Sequence, residues 1–478
     1  AVLTATLGGA LVVATGAATV AGTPVPAHAG QAVKAEKKQK MLTESITENA
    51  QRRAVVIGGG ITGTSLSWLL DGEYDVTLLE AKKQLGGHIS TIDVDGHAID
   101  VGAQFFAKTT HPQYWKLMEL LDMPVSNLPL DLTFSQLGAA TPSVMTPHVK
   151  RPVKTYRDFV RNKGELLAMV TFILKARELQ RVDDRDMTVE EFVEGLDVKR
   201  RYKDTVLYPL SSLEFGCPID VVKGLSAWAA TLFLARSFPL ETLKVAAHPR
   251  ELLRPFEYNS VTGGLRTVID TLSYNFGAAS SSVHAYTNAK VELVERRGEE
   301  YLVHVNGNAF IADEVVMAIP PYAAAPLLRK LGEGALVAVS EEMEYFDTEM
   351  AIHTDPMYMP KKRYRSAYNV IYDGNACEGT IWYGAFSDAV NVHKSWVTHR
   401  AERPQEIVHS QWFKHPCITP EFFRNGATLS GYHKRGLSFA GGFTVAVVSQ
   451  EHGLISAMNT ARRLAPNAPN LNRLENWR

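Results

Sequence analysis

The chain has 478 residues, more than one compact core usually holds, since domains run to ~100–200 residues, so two or three lobes are expected. With 45% hydrophobic and 21% charged residues the composition is ordinary for a globular protein, and a formal net charge of −1 leaves no overall basic field for nucleic acid or an anionic membrane. Cys217, Cys377 and Cys417 lie far apart with no CxxC spacing, which argues against a metal site or a disulfide framework while leaving one bridge open.

Residues 1–30 are rich in Ala, Thr and Gly, carry no Asp, Glu, Lys or Arg, and end at Ala27-His28-Ala29. That pattern reads as the h-region and A-x-A cleavage site of an export signal, and its weak apolarity suits the twin-arginine route. A membrane anchor is the alternative, because Ala1–Gly22 is about long enough to span. Membrane contact is therefore expected only if the segment is retained. Residues 31–51 are charged and polar and form a linker.

The β-branched run Ala54–Ile57 predicts a buried parallel strand. Gly58, Gly60 and Gly63 follow as G-x-G-x-x-G, then a helical pattern through Leu66, Leu69 and Leu70. A second strand, Val76–Leu79, ends at Glu80, at the ~20-residue distance a ribose-binding acid takes. Each part has a physical task. Gly58 permits the tight turn, Gly60 lets the backbone approach a pyrophosphate, and Gly63 lets helix and strand pack closely. Ile61 and Thr62 open the helix, whose free N–H groups and positive dipole end favour phosphate. Glu80 accepts the adenosine ribose hydroxyls. The expected class is α/β, with a Rossmann-type dinucleotide-binding domain.

After Glu80 come Ala81, the glycine pair Gly86-Gly87, His88, and the run Asp100-Val-Gly102-Ala103-Gln104-Phe105. Further on stand "VTGGLRTVIDTL" (261–272), "NAKVELVERRGEEYLVHVNGNAFIADEVVMAIPP" (288–321) and "LSFAGGFTVAVVSQEHGLISAMNTARRL" (437–464). Together these segments resemble the flavin-containing amine oxidase superfamily along nearly the whole globular chain. "MAIHTDPMYMP" (350–360) and "SQEHGL" (449–454) resemble a bacterial group of NAD/FAD-binding proteins within it. The resemblance implies FAD in a glutathione-reductase-like domain. It implies that Val291 meets adenine through its backbone, that Ala318 ends a strand returning to the cofactor, and that Gly441, Gly442, Gly453 and Leu454 close over the flavin. Two departures stand out. His88 replaces the family's arginine and donates more weakly to phosphate. Ala-Gly-Gly replaces Ala-Gly-Glu at 440–442. No cysteine lies in a flavin segment, so FAD is expected to be held non-covalently.

Apolar residues at helical spacing in "KGELLAMVTFILKARELQ" and "VKGLSAWAATLFLARSF" predict a helical subdomain. The expected divisions are FAD-binding segments at 52–110, 259–325 and 431–478, a helical substrate part at 111–258, and a sheet part of the substrate domain at 326–430. For the chemistry, the resemblance implies Gln104 and Phe105 on the ring's face or edge. It also implies a strand residue where many amine oxidases hold a water-binding lysine, and "TEMAIHTD" puts His353 there, a base suited to neutral pH. His353, Gln104 and Phe105 are thus the catalytic candidates. Arg266 and Arg363 stand outside any carboxylate-binding motif, and Trp382, Tyr383, Tyr432 and Phe439 are candidates for an aromatic pair. Glu451 reads as the cap of its own helix. The expected function is hydride transfer to flavin N5 from a small, largely apolar, lipid-like, aromatic or aliphatic substrate, with reoxidation by oxygen or another acceptor. The alternatives are double-bond isomerisation in an unsaturated fatty acid without net redox, and a flavin-binding protein without turnover.

Overall fold

The computed structural model describes residues 51–146, 161–212, 215–237 and 256–477. The expected export signal or anchor and nearly all of the linker lie outside the described residues.

Strand Arg52–Ile57 is buried over its last four residues and pairs on both sides, parallel to Tyr74–Leu79 and to Glu314–Met317. Val283–Tyr286 and Leu437–Phe439 extend the sheet in parallel at either end, and His433–Lys434 closes one edge antiparallel, giving six strands. Continuous apolar runs are what a sheet buried on both faces requires. Helix Ile61–Leu70 lies on this sheet under the final long helix, Gln450–Leu464, with Leu66, Leu69, Leu454 and Ala457 fully buried in one core. A three-stranded antiparallel sheet, Val291–Arg297, Glu300–Val305 and Asn308–Ala312, is inserted between the main-sheet strands Val283–Tyr286 and Glu314–Met317.

The second lobe is a seven-stranded mixed sheet. Its order is Ile407–Pro416, Tyr345–His353, His393–Trp396, Ala376–Trp382, Tyr368–Asp373, Leu132–Gln136 and Val144–Met145. Leu132–Gln136 runs parallel to Tyr368–Asp373 and the other neighbours are antiparallel. Helices Lys163–Val182 and Ala227–Ser237 bury Phe172, Ile173, Trp228 and Leu232 in this lobe's core. The two sheets and their helices form the α/β fold anticipated from the sequence.

Two boundaries differ from those expected. Helix Pro112–Leu120 packs Tyr114, Leu117 and Met118 into the nucleotide-domain core rather than the substrate lobe. The span 111–258 is also not purely helical, because Leu132 and Phe134 are buried strand residues. Five-residue strands carry too few periods to stand out beside long amphipathic helices. Among the described residues no helix is long and apolar enough to cross a membrane.

Candidate dinucleotide and active site

The cradle is built by close backbone approach. A Cβ on Gly63 would lie 1.9 Å from the Gly58 carbonyl oxygen, so only glycine lets this helix sit on its strand. Gly58 itself has φ +108°, in the region side chains avoid. No side chain caps the first turn of helix Ile61–Leu70, so its end is left to a ligand. The Glu80 carboxylate accepts from the Gly59 and Lys82 backbone N–H groups, both at 2.7 Å, which fixes it at the end of its strand.

The cradle opens onto a cavity of about 560 Å³. Gly58, Gly60, Ile61, Thr62, Glu80, Gly86, Gly87 and His88 form one wall, and Gly102, Ala103, Gln104, Phe105, Ala318, Gly441 and Gly442 continue it. Leu130, Leu132, Phe233, Leu234, Tyr258 and Ile381 form an apolar end. Gln450, at the start of helix Gln450–Leu464, is buried on the wall with its side-chain Nε2 unpartnered. An unpartnered buried donor beside a backbone cradle fits a dinucleotide, whose oxygens satisfy such groups.

Lys394 sits where the two lobes meet and lines this cavity. Its Nζ donates to the Gly102 carbonyl oxygen at 2.6 Å and to Gln104 Oε1 at 3.1 Å. Burial drives its pKa down to about 7, against a weaker upward pull from buried Asp100. Asp100, raised by burial, accepts from Thr91 Oγ1 and the Leu265 N–H. The cavity histidines stay neutral: burial holds His88 at about 4, His111 at about 3 and His415 at about 3.

His353 lies elsewhere. On its strand Met350 and Ile352 face Val101 and Val392, so strand alternation turns Ala351 and His353 to the opposite face of the sheet. There His353 Nε2 bonds Ser395 Oγ at 2.8 Å, and burial lowers the ring to about 4. Ile352 is in register with Lys394, so the residue beside the cavity comes from the neighbouring strand. Lys394 escaped the sequence reading, although "NVHKSWV" carries a signal: Val392, Lys394 and Trp396 share one face, an odd place for a lysine.

Gly63, Ala81, Val291, Gly453 and Leu454 do not line the cavity either. Gly63 and Gly453 serve contact, the latter where a Cβ would lie 2.8 Å from Ile61 Cγ2. Leu454 and Val291 are core residues, and Ala81 is exposed beside Glu80. Arg266 is engaged by Asp270 and the Leu85 carbonyl. Trp382 donates to Asn391, Tyr432 and Phe439 pack against each other, and none of these, nor Tyr383 or Arg363, lines the cavity.

Glu451 caps a helix, but not its own. Its carboxylate accepts from the Gln113 and Tyr114 N–H groups at 3.0 and 2.7 Å, tying helix Pro112–Leu120 to helix Gln450–Leu464. Glu451→Ala is expected to cost about 1–2 kcal/mol by stranding these donors, as read by chemical denaturation.

Residues 67–345 match the family described as flavin containing amine oxidoreductase. Coproporphyrinogen III oxidase of Bacillus subtilis (strain 168) is 25% identical over 314 residues, covering 59% of this chain and 63% of that protein. Of solved structures, cyclohexylamine oxidase from Brevibacterium oxydans IH-35A superposes with a TM-score of 0.63 at 14% identity, over 87% of this chain and 99% of that one. A CLA-producing fatty acid isomerase from P. acnes gives a TM-score of 0.59 at 13% identity, over 88% and 99%. These likenesses in structure are likenesses of fold. With the family match running across more than half of its length, the chain belongs to the flavin containing amine oxidoreductase family.

Proposed function

We propose that this protein is an FAD-dependent oxidoreductase acting on a small, uncharged, largely apolar substrate. The observation that carries the reading is one cavity whose wall joins a glycine-rich backbone cradle, apolar side chains and Lys394. FAD, when bound, supplies the hydride acceptor. Gly58, Gly60 and Gly87 would bring backbone to its pyrophosphate, Glu80 would accept from its ribose, and Gln450 Nε2 would donate to one of its polar atoms. Lys394 Nζ, held by Gly102 and Gln104, presents a neutral amine near pH 7 that accepts a hydrogen bond from water or takes a substrate proton. Leu130, Leu132, Phe233 and Ile381 orient the substrate and exclude water.

Among the described residues Glu80 is the only carboxylate on the cavity wall, and it belongs to the cofactor end. A cationic amine or diamine would lie there without a counter-ion, which favours an uncharged substrate. The same absence suits a second reading, isomerisation of a double bond in a fatty acyl chain without net redox. Cys217, Cys377 and Cys417 are all free and none lines the cavity, which supports non-covalent FAD.

The test begins with the absorbance spectrum of the purified protein, repeated after acid precipitation. Flavin bands that pass fully into the supernatant are the expected result. Colour retained in the pellet would overturn non-covalent binding, and a colourless protein that refuses FAD would sink the whole reading. Anaerobic bleaching by apolar candidates then separates oxidation from isomerisation, since only the former leaves the flavin reduced.

A further inference from the structure

Beside His88 the main cavity adjoins a second one of about 70 Å³. The two share His88, Phe233, His415, Pro416 and Val448 as wall. The rest of the smaller cavity is Phe215, Ala229, Ile418 and Val447, all buried and apolar. Val448, on the wall the two cavities share, is 41% exposed.

The partition between the cavities is a stacked imidazole pair. The His88 and His415 rings lie 5.9 Å apart with planes 14° from parallel. His88 sets its edge against Phe413 and His415 against Trp396, at 5.5 and 5.2 Å. Lys82 is the charged group acting on His88, and His88 is the titratable group acting on His415; with burial they keep both rings uncharged at neutral pH. A small void walled mostly by aromatic and aliphatic side chains takes up small apolar molecules. Its size excludes the substrate, which the larger apolar end accommodates.

We infer that the second cavity is a dioxygen-binding passage that delivers the electron acceptor to the cofactor through the His88–His415 partition. The inference rests on the oxidase form of the proposed function. In the step it serves, dioxygen takes two electrons and two protons from the reduced cofactor and leaves as hydrogen peroxide. The cofactor returns to its oxidised form, and no bond to the protein is made or broken.

The test uses the FAD-loaded protein, photoreduced without substrate and mixed with oxygenated buffer in a stopped-flow instrument. Ala229→Val fills the void from within, and Val448→Phe narrows it at the wall shared with the main cavity. Each is expected to lower the second-order reoxidation constant about five-fold. Crystals of the wild type pressurised with xenon are expected to hold xenon in the second cavity, and those of Ala229→Val to hold none. Fast wild-type reoxidation left unchanged by both variants, or xenon absent from the wild-type cavity, would overturn the passage alone. Wild-type reoxidation no faster than that of free reduced flavin would overturn the oxidase reading, and the passage with it.

Discussion

Lys394→Met is expected to slow anaerobic flavin reduction by roughly 10²–10³-fold while FAD stays bound. The side chain is apolar and similar in length, so the junction of the lobes stays filled and only the amine is lost. The wild-type rate should rise about tenfold per pH unit up to the pKa of about 7 and then level, because only the neutral amine accepts a proton. The cavity histidines, at about 4 and 3, are already neutral across that window and add no second limb. In Lys394→Met the limb should vanish.

Stability follows with a sign of its own. Burial lowers Lys394 from 10.5 to about 7, so between those values the unfolded chain binds more protons than the folded one. Folding stability from this group therefore increases as pH rises from 7 towards 10.5, and the methionine variant lacks that increase. Thermal midpoints of both proteins across the window check it. A variant that retains the wild-type reduction rate and pH limb, with the loss appearing instead in His353→Gln, would return the role to the opposite face of the sheet.

Gly63→Val is expected to weaken FAD binding at least about a hundredfold and to cost about 3 kcal/mol of stability. The added Cβ meets the Gly58 oxygen at 1.9 Å, in the turn, and Val56 Cγ1 at 3.3 Å, on the strand beneath. Backbone cannot turn aside as a flexible side chain does, so the helix must lift and the cradle widens. Gly334→Ala is the control, because a Cβ there meets nothing within 4 Å. Flavin fluorescence titration and denaturant unfolding read the two effects separately. Equal FAD affinity in Gly63→Val and wild type would mean that the cradle does not hold the dinucleotide.

The cradle was legible because its requirements are local. A tight turn, a close helix-to-strand approach and an acid at the end of the next strand are spaced along one short stretch, from Gly58 to Glu80. The same holds for Gly102–Phe105, which the structure brings to the same cavity as the first glycines. The misplacement of His353 has a different origin. Its strand was recognised, but which of two alternating faces looks into the cavity depends on pairing with strands 42 and more residues away, as in the bond from His353 to Ser395. One step along a strand reverses the side chain's direction.

While the later segments were read by family resemblance, the glycine-rich turn, the Rossmann-type strand–helix–strand unit and the long helices of the second lobe came from the residues alone. Their signals lie within the reach of one turn, one helix or one βαβ unit, where sterics and periodicity act on neighbours in sequence. Tertiary structure alone decided that Lys394 meets Gln104 and Gly102, that Glu451 caps Pro112–Leu120, and that His88 stacks on His415 beside a second cavity. Each of these pairs joins segments some 290 to 340 positions apart. The packing of two helices within the nucleotide lobe sets the Glu451 contact, and the packing of the two lobes against each other sets the others, and with them the desolvation that lowers Lys394 to about 7.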